Sequence, residues 1–329
     1  MEIGVIVENF GGFPDTGRSA RACVDLAIHA ERLGFDSVWV TDHIVLPREQ
    51  RSKYPHNSRG EFPYSCEQDI HEPLVLMGAI AQATERVEIG VSVLVIPYRH
   101  PLTTAKMLAT ADQLSSGRII LGAGVGWLQD EFEALGLPEE HFTRRGAVTM
   151  DYLRAMQAVW TAEEWASYTG PFVQYKEVGA RPQPARHSGL PIWIGGKGER
   201  ALRRAVELGE GYLAISSDAN SLKNEVARLR ELAEEAGREP HSITVGEIGR
   251  IVVEGSSMPR AEKLKRNDTD GLWIQGNSEQ LIESLYKYSK AGLNHVVAGI
   301  GQTRNTSFSG AVEALEQLAQ EALPEVHVF

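Results

Sequence analysis

Apolar runs alternate with amphipathic stretches from one end of this chain to the other. "IGVIVENF" (3–10) predicts a buried strand, and "ARACVDLAIHAERLG" (20–34) repeats its apolar residues at helical spacing until Gly34 stops it. The alternation continues with strands over 36–43, 87–96, 118–124, 190–196, 211–216, 242–253 and 294–300. Between and after them the pattern predicts helices over 72–86, 101–115, 144–160, 200–209, 278–292 and 311–323. One more helix follows residue 216, with Leu222, Val226, Leu229, Ala233 and Ala236 on one face and Gly237 and Pro240 ending it. Asn277 and Gln280 are placed to cap the helix that begins at Ser278.

Strands that are apolar nearly throughout belong to a parallel sheet covered on both faces. Roughly eight strand–helix units without a break in composition predict one α/β domain over 1–329, a single (β/α)₈ barrel. A doubly wound sheet is the alternative that the same units allow. Such a barrel needs about 250 residues, and the surplus lies in two long insertions. The first, 47–72, follows the second strand and reads as a lid; the second, 161–189, separates the fourth strand from the fifth and reads as an extended flap.

Composition narrows the classes of partner. The net charge of −11 argues against a nucleic-acid or membrane-surface footprint, though a local basic patch could still hold an anion. Cys23 and Cys66 are too few for a disulfide framework or a zinc cluster, which fits a reducing compartment. "MEIGVIVENFGG" lacks the basic flank of a signal peptide, and no apolar stretch reaches membrane-spanning length. The expectation is a soluble, cytoplasmic protein.

In a parallel barrel the chemistry sits at the carboxyl ends of the strands. The fourth strand runs into "GAGVG", which invites comparison with a dinucleotide-binding turn. The third glycine of that fingerprint falls one residue early at Gly126, and Trp127 stands where the last glycine belongs, so these glycines need another explanation. The second strand ends at Asp42 and His43. A histidine there is either a general acid or base or a side chain bonded to a neighbouring loop, and on a regular strand the two residues point to opposite faces. The ten histidines show no metal-ligand spacing, so no metal site is expected. "IWIGGKGERALRRA" places Gly196, Lys197 and Gly198 at a helix start, which suits an anion such as phosphate or is a plain glycine-rich turn.

Together these strand ends resemble the bacterial luciferase-like superfamily of flavin and deazaflavin oxidoreductases. The matching blocks are "FDSVWVTDH", "ERVEIGVSVLVIPYRHPLTTAKMLATADQLSSGRIILGAGVGWLQDEFEALG", "RRGAVTMDYL" and "PIWIGGKGERALRRAVELGEGYL". The forms "GAGVGW…EFEALG" and "YPHNSRGEFPY" are most similar to the branch that uses coenzyme F420. The resemblance implies a luciferase-like TIM barrel with His43 as active-site histidine and Asp42 beside it, orienting it or tuning its pKa. It implies a non-prolyl cis peptide at Ser92–Val93 supporting the cofactor ring, with Gly122 and Gly124 small because the ring lies against them. Gly196, Lys197 and Gly198 would meet the cofactor phosphate, with Arg145 as a further candidate, and Asp130 would contact the ring or tail. The light-emitting luciferases carry a reactive cysteine where this chain has Gly124, a departure that counts against light emission. The implied activity is hydride transfer between F420 and a small organic substrate. The alternatives are an FMN-dependent monooxygenase fed by a separate flavin reductase and a non-catalytic flavin-binding protein. A homodimer is implied as well. The aromatic residues Tyr54, Phe62, Tyr64 and Trp165 in the two insertions are candidates to line the substrate pocket.

Overall fold

In the computed structural model, residues 1–11, 13, 15–16, 19–179, 181–254, 271–300 and 307–329 are described. In chain order the strands are β1 (Glu2–Ile6), β2 (Ser37–Val40), β3 (Glu88–Val95), β4 (Ile119–Gly124), β5 (Ala166–Thr169), β6 (Gln174–Val178), β7 (Ile192–Gly195), β8 (Gly211–Ala214), β9 (Thr244–Val253), β10 (Leu272–Gly276) and β11 (His295–Ile300). The helices are α1 (Ser19–Leu33), α2 (Pro73–Ala83), α3 (Pro101–Leu114), α4 (Gln129–Ala134), α5 (Glu139–Thr143), α6 (Arg145–Trp160), α7 (Glu199–Leu208), α8 (Ala219–Glu235), α9 (Ser278–Lys290), α10 (Phe308–Glu321) and α11 (Leu323–Val326).

Among the described residues β1, β2, β3, β4, β7, β8, β9 and β11 pair in that order, all parallel, and β11 returns to β1. Eight strands thus close into the barrel that the alternation predicts. The strands are buried on both faces because helices cover the outside and large side chains fill the inside. Two strands escape the pattern. β5 and β6 form an antiparallel hairpin within the 161–189 insertion, and β10 pairs with the end of β9 beyond the point where β8 stops. Asn277 and Gln280 make a reciprocal capping box at the start of α9, as their spacing indicates.

Inside the barrel, Trp39, Ile120, Trp193, Leu213 and Val297 form a separate apolar cluster. The two indoles lie 5.5 Å apart, and they fit because glycines face them: a Cβ on Gly90 would fall 2.2 Å from the Trp39 ring. Below them a polar chain runs from the buried interior out to exposed Glu2. Trp39 Nε1 donates to Ser37 Oγ at 2.7 Å, Ser37 Oγ meets His295 Nε2 at 2.7 Å, and His295 Nδ1 meets Glu2 at 2.6 Å. Replacing Ser37 with Ala leaves the indole N–H and one imidazole nitrogen without a partner in a closed interior. The expected loss is on the order of 2–4 kcal/mol in urea unfolding; a loss within about 0.5 kcal/mol, as for a surface change, would mean the chain contributes nothing.

The barrel mouth is roofed by the first insertion. Its end is tied down by Gly11 N–H donating to Asp69 O at 2.7 Å and His71 N–H donating to Asn9 O at 3.1 Å. No helix among the described residues is long and apolar enough to cross a membrane.

Candidate active site

The wall of the mouth is shaped by an irregularity in β3. Val91 pairs with Leu121 and Leu94 with Ala123, so Ser92 and Val93 stand opposite Gly122 alone. The Ser92–Val93 peptide is cis. This bulge explains the glycines of the fourth and fifth barrel strands. A Cβ on Gly122 would lie 2.0 Å from the Val91 carbonyl oxygen, one on Gly124 2.2 Å from Val93 Cγ2, and one on Gly195 2.6 Å from Val93 Cγ1. The space beside Gly122 and Gly124 is therefore filled by the chain itself, which corrects the expectation that a cofactor ring alone demands their smallness. Gly124 still lines the cavity at the mouth, whereas Gly122 lies deeper, outside it. Ser92 also lines the cavity, with a buried Oγ that has no hydrogen-bond partner.

That cavity has a volume of about 870 Å³; His43 lines it beyond β2 and Gly196 and Lys197 line it beyond β7, with the ends of β3 and β4 between them around the mouth. β2 ends at Val40, so the chain has left strand geometry before residue 42, and Asp42 and His43 both line the cavity.

His43 Nδ1 lies 2.5 Å from Glu131 Oε2. Glu131 sits in the first turn of α4, fully buried. Its carboxylate also accepts from Tyr98 Oη at 2.9 Å and from the backbone N–H groups of Ile44 at 2.6 Å and Val45 at 3.1 Å. Burial and the neighbouring Glu131 push the Tyr98 hydroxyl far above its usual range, so it remains a donor. With Nδ1 donating to Glu131, Nε2 is the ring nitrogen left for a ligand.

Asp42 has a different task from the one its neighbouring position suggests. Both its oxygens are held by Arg99, each at 2.8 Å, and Oδ2 also accepts from Val95 N–H at 2.8 Å. Arg99 in turn reaches Glu72, which caps α2. Asp42 ties the end of β2 to the end of β3; the residue that orients His43 is Glu131. Asp130 also departs from expectation. Its side chain lies outside the cavity and accepts from Arg51 Nε at 2.7 Å, Ser52 Oγ at 2.7 Å and both backbone N–H groups. Burial pushes its carboxyl up, but the hydrogen bonds from Ser52 and Arg51 outweigh that and bring it down to about 2. It latches the first insertion in place.

The part of the cavity beyond β7 is cationic. Gly196 and Gly198 have φ of +133° and +73°, and Gly198 starts α7 with no side chain capping the helix. Ala201 N–H donates to Gly198 O at 2.9 Å, so the N–H groups of Glu199 and Arg200 are the ones left for a ligand. Arg145 and Arg204 each have a buried Nε without a hydrogen-bond partner. Burial, then the charges of Arg200 and Arg145, lower the pKa of Arg204 from its ordinary value, the mark of a cation that lacks an anion. A Cβ on Gly196 would lie 3.9 Å from Arg204 Nη2, which places that guanidinium against the glycine turn, although neither Arg204 nor Gly198 is among the residues that line the cavity. Crowded like charges, orphaned donors and an uncapped helix fit a phosphate-bearing cofactor. Arg204 was not singled out from the sequence; its signal is the spacing of Arg200 and Arg204 along one face of α7. Among the described residues no cluster of three or more His, Cys, Asp or Glu side chains could hold a metal ion.

A family model for luciferase-like monooxygenases matches residues 1–264. The chain belongs to this family. Among the relatives of this luciferase-like protein is the F420-dependent glucose-6-phosphate dehydrogenase of Segniliparus rotundus. It is 32% identical over 311 residues, which covers 84% of this chain and 87% of the relative. Two solved structures share the fold at low identity. An F420-dependent secondary alcohol dehydrogenase in complex with an F420–acetone adduct aligns with TM-score 0.77 at 19% identity, covering 99% of this chain and 98% of its own. The oxygenating constituent of 3,6-diketocamphane monooxygenase from Pseudomonas putida, in complex with FMN, aligns with TM-score 0.72 at 17% identity over 99% of each chain. The luciferase-like barrel thus serves oxidoreductases and monooxygenases alike.

Proposed function

We propose that this protein is an F420-dependent oxidoreductase that passes hydride between the deazaflavin and a small organic substrate. The observation that carries the reading is the single cavity joining an oriented histidine, the bulge at Ser92–Val93 and an uncapped cationic cradle. The relative that covers most of this chain and uses F420 favours the deazaflavin over FMN. An FMN-dependent monooxygenase supplied by a separate reductase is the second reading, because the same cradle suits the phosphate of FMN and an FMN-bound neighbour shares the fold.

On this reading Gly196, Lys197 and Gly198 with Arg145 and Arg204 hold the phosphate. Val93 presents its side chain at the cavity wall, and the unpartnered Ser92 Oγ is available to a polar edge of the ring system. When bound, the deazaflavin is the two-electron donor or acceptor. The protein supplies alignment, exclusion of water and a proton site. With Nδ1 fixed by Glu131, His43 Nε2 takes the hydroxyl proton of an alcohol or returns one to a carbonyl oxygen. The aromatic roof of the first insertion keeps bulk water from that exchange.

Arg204→Ala removes one charge-assisted donor from the cradle. F420 affinity is expected to fall by about 10–100-fold, read by a fluorescence titration, with the barrel still folded by circular dichroism. Unchanged affinity would take Arg204 out of the cofactor site.

A further inference from the structure

The His43 end of the cavity is built from rings. The centroids of Phe62, Phe10 and Trp127 lie 4.9, 5.7 and 6.1 Å from that of His43. Tyr54 packs on both Phe62 and Trp127 at 5.1 and 5.0 Å, and Tyr64 on both Phe10 and Phe62 at 4.9 and 5.4 Å. All five line the cavity, whereas Trp165 on the flap is 65% exposed and does not. The tilted and edge-on contacts make one continuous wall whose members brace one another. The wall is held in position at Arg51 and Ser52 by Asp130 and closed at its far side by the Phe10–Ile70 bridge.

Among the described residues, and with Asp42 paired to Arg99, the charges on the cavity wall outside the cradle are balanced. The acids Glu8 and Glu61 lie there together with Arg59 and Arg250, and the Tyr64 hydroxyl is committed to Glu8 at 2.5 Å. Among the described residues the buried guanidinium nitrogens without partners, Nε of Arg145 and of Arg204, belong to the cradle. An anionic substrate group beside His43 would therefore be desolvated against aromatic rings and two carboxylates, with no more cations than acids among the described residues on that part of the wall, which is costly. An uncharged substrate with an apolar ring meets matching surface there, and His43 supplies the polar contact for its oxygen.

We propose that the His43 end of the cavity takes an uncharged, ring-bearing secondary alcohol or its ketone, and that it discriminates against phosphorylated sugars. This rests on the reading above in one respect, that the cationic cradle is taken by the cofactor and not by the substrate. It sets this chain apart from its relative in Segniliparus rotundus, whose name carries glucose 6-phosphate as substrate.

The test is a titration of the full-length protein with 1-phenylethanol and with glucose 6-phosphate, followed by tryptophan fluorescence with and without F420. The expected result is a saturable signal for 1-phenylethanol that disappears in Trp127→Phe, and no saturable signal for glucose 6-phosphate. Phe62→Leu, which keeps an apolar side chain but loses the ring, is expected to weaken 1-phenylethanol binding by about tenfold while leaving F420 affinity unchanged. Tighter binding of glucose 6-phosphate than of 1-phenylethanol would overturn the proposal, as would unchanged 1-phenylethanol affinity in Phe62→Leu. If F420 fails to bind, the deazaflavin reading falls, and the titration without cofactor still decides the character of the cage.

Discussion

Replacing His43 with Ala is expected to lower turnover by about 10²–10⁴-fold, the usual contribution of a positioned general acid or base, while F420 affinity stays within a few-fold of the parent. The separation follows from the geometry, because His43 follows β2 and the cationic cradle follows β7, with β3 and β4 between them round the barrel mouth. Glu131 is a positioning residue in this scheme. Its carboxylate meets His43 Nδ1, Tyr98 Oη and two backbone N–H groups, so it fixes the imidazole from behind without itself lining the cavity. Glu131→Gln keeps the shape but cannot accept from every one of these donors. It should lower turnover less than His43→Ala and shift the pH profile of kcat, which a purely structural change would leave in place. Steady-state kinetics at saturating cofactor across the pH range check both variants. Parent-like turnover in His43→Ala would remove the histidine from the mechanism.

A second large effect is expected away from the reacting atoms. Glu247 on β9 is fully buried; one oxygen accepts from Ser216 N–H at 2.5 Å and the other has no partner. Burial pushes its carboxyl up from an ordinary 4.5 to about 8, with the Ser216 N–H opposing that shift and the charge of Glu225 adding to it. The folded protein thus holds a proton that the unfolded chain releases near pH 4.5. A pKa raised on folding contributes stability that is complete below the unfolded value and is lost as pH rises through the folded one. Between pH 5 and 8 this single group should remove on the order of 3 kcal/mol, at about 1.4 kcal/mol per pH unit over most of the window. Glu247→Gln keeps an acceptor for Ser216 and removes the titration. Its stability relative to the parent should therefore improve by that amount from pH 5 to pH 8 in chemical unfolding. A difference between variant and parent that is the same at both pH values would contradict the assignment.

The barrel was legible because its strands are nearly continuous apolar runs and its helices keep one apolar face, signals that depend on neighbours in sequence. The β5–β6 hairpin was not, since its strands are mostly exposed and carry little apolar pattern, and β10 is a five-residue strand that pairs only with the end of β9. The site shows the same division. His43 and the Gly196–Gly198 turn announce themselves by lying at strand ends. The partner of His43 does not, because Glu131 lies 88 positions away and only the closed barrel brings them together. Asp42 is adjacent in sequence, yet the orienting contact to His43 comes from Glu131 while Asp42 is held by Arg99, and Asp130, next to Glu131, latches a loop. The smallness of Gly122 and Gly124 is legible, but the bulge in β3 that crowds both of them is a feature of strand register that no local pattern records.

A side-by-side fluorescence titration of the cofactor-free protein with coenzyme F420 and with FMN tests most directly whether the cavity is a deazaflavin site. Saturable, tight binding of F420 and much weaker binding of FMN are expected, with the F420 affinity reduced in Arg204→Ala. Preference for FMN would contradict the deazaflavin reading and point to an oxygen-using monooxygenase supplied by a reductase, and failure of both to bind would mean that the cradle at Gly196–Gly198 serves some other anion.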